Sequence, residues 1–225
     1  MLEFVKKHIP FYLKYIQLFS DSAIHGNKIL QVFSRILKLI LHICDTDLAP
    51  SYTDLMSCVL SIFQADPVKN AFMLSTMSFL IFVFAELPQQ QEWIKTKFAD
   101  FNLYVLKAFA QNNDPDLMKH FVGVQSKVFE KYMDYYLNMP QFSDLMDSMF
   151  EILQKVREYG MNREILSFLH MVFGNPAIRE SKAALQKIPA LINCIFIIFP
   201  DLLKSHIISV LYFPNKKNKI IIRFL

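Results

Sequence analysis

Residues 50–64 read P-S-Y-T-D-L-M-S-C-V-L-S-I-F-Q, and residues 140–154 read P-Q-F-S-D-L-M-D-S-M-F-E-I-L-Q. Proline, aromatic, hydroxyl, Asp-Leu-Met, aliphatic positions and glutamine recur in the same order, with Pro140 standing 90 residues after Pro50. A second echo follows each start: Ser78 to Phe84 (S-F-L-I-F-V-F) is answered by Ser167 to Phe173 (S-F-L-H-M-V-F), 89 residues on. A shared long period is the mark of stacked structural repeats, each touching its neighbours, rather than of one closed core.

Working outward from the two copies, apolar residues recur every three or four positions, the spacing of a helix with one buried face. Leu2 to Phe19 has this spacing, with Pro10 able to start a second helix. Asp21 to Gly26 reads as a loop, and Asp45 to Ser51 as another break. Lys28 to Cys44 forms a longer helix with Leu30, Phe33, Ile36, Leu37, Ile40 and Leu41 on one stripe and Lys28, Arg35 and Lys38 off it. At Asp54, Thr53 is a candidate N-cap and the carboxylate suits the positive end of the helix dipole; Ser143 and Asp144 occupy the same places in the second copy.

Pro67 should open the next helix and Pro88 close it after Leu87. Glu92 to Ala110 carries the chain's single tryptophan, Trp93, expected as a half-buried anchor near the helix start. Asn112-Asn113-Asp114-Pro115 is a turn, with Asp114 capping a helix over Asp116 to Leu137. Helices over Ser143 to Tyr159 and Asn162 to Phe173 end at Gly160 and at Gly174-Asn175-Pro176. A short helix from Ala177 and apolar helices over Ile188–Phe199 and Leu202–Phe213 follow, with Pro189 and Pro200 near their starts. The expectation is all-α with essentially no sheet: about ten or eleven helices in antiparallel pairs, two pairs to each long period. Pairs of that length are the HEAT or armadillo size class of α-solenoid. Residues 1–213 make up the array and residues 214–225 a basic and apolar tail.

Composition narrows the function. The chain has 225 residues, 53% hydrophobic and 20% charged with four glycines, which excludes global disorder and a turn-rich β fold. Net charge is +4, but Lys216, Lys217, Lys219 and Arg223 all lie in the tail, so the body is balanced and carries no nucleic-acid signature. Cys44, Cys58 and Cys194 lie far apart without a C-x-x-C pair, which points to a reducing compartment. Lys6, Lys7 and Lys14 interrupt the N-terminal apolar stretches, so no signal-peptide layout is present. The longest uncharged runs, sixteen residues at Asn70–Ala85 and thirteen at Ile188–Pro200, fall short of the roughly 17 to 20 that span a bilayer. They read as buried helices rather than membrane spans. The 22 phenylalanines fit either a composition bias or an aromatic surface for partners.

No nucleophile elbow, phosphate loop, dinucleotide fingerprint or paired-histidine metal helix is present. The histidines at 8, 25, 42, 120, 170 and 206 never stand four apart, and His42 and Cys44 fall on different helix faces. His170 is expected to pack into the core. The repeated Asp54 and Asp144 are explained by the helix dipole. No catalytic, metal or cofactor residue is assigned, and an enzyme is not expected.

The stretch Asp54 to Pro67, D-L-M-S-C-V-L-S-I-F-Q-A-D-P, resembles a helix in the later repeats of the karyopherin-β family of importins and exportins, closest to the transportin-SR branch. The second copy keeps Asp144, Leu145 and Gln154. The resemblance implies a nuclear transport receptor that carries protein cargo between cytoplasm and nucleus, binds Phe-Gly nucleoporins and is switched by the GTPase Ran. It also implies a fragment or truncated paralogue, since members are usually longer. The match is to later repeats while the main Ran-contacting surface of the family lies in early ones, so Ran binding by this chain alone is expected to be weak or absent. No family binding residue carries over by number. Two other readings stay open, a HEAT-like scaffold or adaptor without a transport role and a helical membrane protein.

Overall fold

The structure is a computed structural model; it describes residues 52–204, with side chains to residue 198, the strand pairs 211–212 and 221–222, and four isolated helical positions. Those four, Lys14, Val32, Arg35 and Leu39, are exposed. The rest of residues 1–51, including the expected helices at Leu2–Phe19 and Lys28–Cys44, the loops beside them and Cys44, lies outside the described residues.

The body 52–204 is helical throughout: eight α-helices and one 3-10 turn among the described residues, fewer than expected. They are α1 (Tyr52–Ala65), α2 (Met73–Val83), α3 (Pro88–Asn112), α4 (Pro115–Lys131), α5 (Met133–Asn138), α6 (Phe142–Lys155), α7 (Tyr159–Phe173), the 3-10 turn Pro176–Arg179, and α8 (Lys182–Lys204). The chain divides into two compact units, Met1–Lys131 and Tyr132–Leu225.

The doubled phrase folds twice into the same object. The helices α1 and α6 are each 14 residues long, and Phe142 begins the second 90 residues after Tyr52 begins the first. Tyr52, Leu55, Met56, Val59, Ile62 and Phe63 are buried in one; Phe142, Leu145, Met146, Met149, Ile152 and Leu153 are buried at the same positions in the other. Asp54 and Asp144 are exposed in the two first turns, where the dipole favours a carboxylate. The expected caps are corrected: the helices already include Tyr52 and Phe142, and the N-cap of α6 is Gln141, two residues before Ser143, so Thr53 and Ser143 lie inside the first turn.

In the first unit α2 packs against α1 and α4. Its mean composition is so apolar that both sides can be covered, and Leu74, Met77, Leu80 and Ile81 are buried. Gly123 of α4 faces Ser78 of α2; a Cβ there would stand 3.7 Å from the Ser78 hydroxyl oxygen, an ordinary contact. A buried amide pair, Gln125 Nε2 donating to Asn102 Oδ1 at 2.8 Å, ties α4 to α3. Asp114 caps α4 as anticipated, its Oδ1 accepting from Leu117 N at 2.7 Å. In the second unit α8 packs chiefly on α6. The Lys187 Nζ to Asp147 Oδ2 ion pair (2.5 Å) and the Cys194 thiol against the Phe150 carbonyl (3.6 Å) fix that contact. In each unit the main packing joins helices two apart in sequence, α2 with α4 and α6 with α8.

Several helix boundaries differ from the sequence reading, each for a local reason. Pro67 opens no helix: residues 67–72 are turns, because Asp66 Oδ1 accepts from Lys69 N and Asn70 Nδ2 donates to Ile62 O at the end of α1. The helix expected over Asp116 to Leu137 is interrupted at Tyr132, whose backbone (φ −135°, ψ 42°) is non-helical. Gly160 is no break but lies inside α7, since the Glu158 carboxylate accepts from the N–H groups of Gly160 and Met161 and caps the helix there. The helix expected over Ile188–Phe199 is part of a longer one, α8, which runs to Lys204 with Pro189 and Pro200 inside it; of the helix expected over Leu202–Phe213, residues 202–204 belong to α8 and Leu211–Tyr212 is a strand. Each proline removes one ladder hydrogen bond, and the apolar stripe Leu191, Cys194, Ile195 and Ile198 holds the helix together across the first of them. Among the described residues, sheet is confined to Leu211–Tyr212, which pairs antiparallel with Ile221–Ile222. Both strands come from β-branched or aromatic runs.

Candidate functional site

The first unit carries an open groove of about 710 Å³ between α1 and α3. Helix α1 supplies Tyr52, Met56 and Leu60, the flank of its buried stripe. Helix α3 supplies Trp93, with Phe101 and Tyr104 standing eight and eleven residues further along, so that the three share one helical face. Pro88 at the first helical position sets the start of α3 and hence the phase of that face. The aromatic wall is braced from behind. The Trp93 ring lies 5.9 Å from Phe101 and 6.1 Å from Phe98, and Tyr104 meets Phe63 edge-on at 6.1 Å. The Tyr104 hydroxyl donates to the Gln64 carbonyl at 3.2 Å, joining the far end of α1 to α3. On the floor the buried Tyr52 hydroxyl donates to Gln90 Oε1.

The rim is polar. Glu92, Lys97 and Asp100 line it and are exposed. Neither carboxylate makes an ion pair among the described residues. Burial, and then the negative charge of Asp66, raise the Tyr104 phenol above its ordinary value. The groove thus sets an apolar aromatic floor beneath a rim of two carboxylates and one ammonium.

Of the residues singled out in the sequence, Trp93, Thr53 and the repeated Gln64 line the groove, whereas His170 and the cysteines fall elsewhere. Trp93 is half-buried near the start of α3, as expected, and forms part of the groove. His170, expected in the core, is exposed. The buried stripe of α7 runs through Ile165, Phe168, Leu169, Val172 and Phe173, which turns position 170 to the opposite side. Cys58 and Cys194 are free, buried thiols. Burial pushes Cys58 up to about 11. Burial also raises Cys194, against a lowering hydrogen bond from Gln154. Both are therefore unreactive packing groups near neutral pH. Among the described residues no group of three or more His, Cys, Asp or Glu side chains is placed to hold a metal ion. Among them, too, no helix is long and apolar enough to cross a membrane. The remaining groove residues, Tyr52, Met56, Glu92, Asp100, Phe101 and Tyr104, were legible only as parts of amphipathic helices. The aromatic spacing Trp93, Phe101, Tyr104 is the signal that could have marked them.

No protein-family model, curated protein or solved structure matches this chain.

Proposed function

We propose that this chain is a non-enzymatic, protein-binding helical-repeat module, a HEAT-type α-solenoid related to nuclear transport receptors that carry cargo between cytoplasm and nucleus. The observation that carries the repeat reading is the equivalence of α1 and α6: the same length, the same buried positions and the same exposed first-turn aspartate, 90 residues apart. Packing between helices two apart in sequence supports it, because helix pairs that stack bring like helices together, whereas an up-and-down bundle packs successive ones. The transport reading rests on the resemblance of Asp54–Pro67 to karyopherin-β repeats. An aromatic groove between helices that can receive a partner's side chains is consistent with it.

The test is retention on immobilised Phe-Gly repeats. Specific retention, abolished by free Phe-Gly peptide, is the expected result. A chain that binds other proteins but passes through the Phe-Gly column is a HEAT-like scaffold instead.

A further inference from the structure

We propose that the exposed face of α8, together with the basic segment that follows it, docks on the surface of an anionic phospholipid bilayer. The face comes first. One stripe of α8 is buried, chiefly against α6, but the helix is apolar on a second side as well. Leu185, Pro189, Ile192 and Phe196 are spaced by four, three and four residues, which sets them in one row along the helix, and all four are exposed. Phe196, at 69%, is the most exposed large apolar side chain among the described residues. A helix with only one buried stripe carries polar residues on its other side. This row instead holds apolar surface against the solvent.

Charge then selects the occupant. From Lys182 to Ile198, α8 has no acidic residue. Residues 205–225, which continue the chain from the end of α8, hold Lys216, Lys217, Lys219 and Arg223, again without an acid. The pairing of Tyr212 with Ile221 puts the three lysines in one connection, residues 213–220. The strands themselves are Leu211, Tyr212, Ile221 and Ile222, and a lone two-stranded ribbon is marginal in water. An anionic bilayer accepts both parts: apolar side chains enter the boundary between headgroups and acyl chains, while the ammonium groups stay with the lipid phosphates. A nucleic acid would take the lysines and leave the apolar row in water. A second copy finds too little to cover. Leu185, Ile192, Phe196 and Ile197 together expose the area of about two whole side chains, roughly 400 Å², against about 800 Å² on each partner of a stable dimer. Surface docking needs no helix that crosses the bilayer, and none among the described residues is long and apolar enough to do so.

Flotation of the full chain with vesicles tests this, phosphatidylcholine alone against phosphatidylcholine and phosphatidylserine in equal parts. The chain should float with the anionic vesicles and not with the neutral ones, and added salt should release it. The variant K216Q/K217Q/K219Q lies outside the helical body and should bind about a hundredfold more weakly, since each basic residue near such a surface contributes about fivefold. F196S changes an exposed position and should bind about tenfold more weakly. An unchanged thermal melt shows that F196S is folded; if it is not, the lysine variant decides alone. No flotation, equal flotation with neutral vesicles, or full affinity in a folded variant would each overturn the proposal. So would a dimer in lipid-free sedimentation that F196S converts to a monomer, which gives the face to a second copy. Tighter binding to duplex DNA than to the anionic vesicles would overturn it too, giving the lysines to a nucleic acid.

Discussion

Truncating the matched leucines tests the repeat where it is most exact. Leu55 is 0% and Leu145 2% exposed, each one position after its exposed aspartate. Leucine to alanine deletes three carbons, about 2.4 kcal/mol of lost transfer energy at roughly 0.8 per methylene. A cavity term is added where the surroundings cannot close, giving about 2–5 kcal/mol in total. The stripes differ in how far they can relax. Met56 and Ile62 on the first stripe are matched by Met146 and Ile152 on the second, but Leu55 has the stiff, β-branched Val59 where Leu145 has Met149, whose flexible thioether can fill part of the gap. L55A should therefore lie toward the upper part of that range and L145A toward the lower. D54A and D144A lose only a favourable dipole contact, about 0.5–1 kcal/mol each. Urea unfolding followed by circular dichroism at 222 nm gives the four values, each read as a midpoint shift at constant slope in the transition of the unit concerned. If D144A costs as much as L145A, the aspartate has a structural partner and the equivalence of the two helices fails. A cost below about 1 kcal/mol for L145A would mean that α6 does not bury its repeat face.

Other outcomes can be measured from the same features. Because burial raises Cys58 to about 11 from an ordinary 9.0, the folded state holds its proton more tightly than the unfolded one. Stability is thus fully present below pH 9 and falls as pH rises toward about 11, by about 2–3 kcal/mol from this group; urea midpoints across that window should drop, and drop less in C58A. The chain should be retained on Phe-Gly beads, and free Phe-Gly peptide should release it. Titration against Ran loaded with a non-hydrolysable GTP analogue should show weak binding or none; submicromolar affinity that vanishes with GDP would place the resemblance in the wrong repeats.

The helices were legible because their burial is periodic. The buried residues of α6 recur at Phe142, Leu145, Met146, Met149, Phe150 and Leu153, a spacing that only a helix places on one side. The boundaries were less legible, because they were decided by single polar side chains competing for backbone groups. Asp66 and Asn70 hold 67–72 as turns in a stretch that starts with proline and reads as helix. Glu158 caps α7 at Tyr159, so Gly160, which reads as the break between two helices, lies inside its first turn. Proline misled in the other direction: at Pro189 the loss of one hydrogen bond is outweighed by burial on both sides of it, which no local rule registers.

The groove was hidden for a different reason. Its aromatic residues lie on helices whose other faces are also apolar, so a sequence cannot say which aromatic faces the core and which faces open space. Phe98 and Phe101 are three apart and both buried, yet Phe101 alone of the two lines the groove. What decides this is the phase of α3, which starts at Pro88, and the reach of Tyr104 back to the Gln64 carbonyl, 40 residues earlier in the sequence. The acidic rim carried no more of a signal, since exposed Glu92 and Asp100 look like any solvated helix face until the aromatic wall between them is seen.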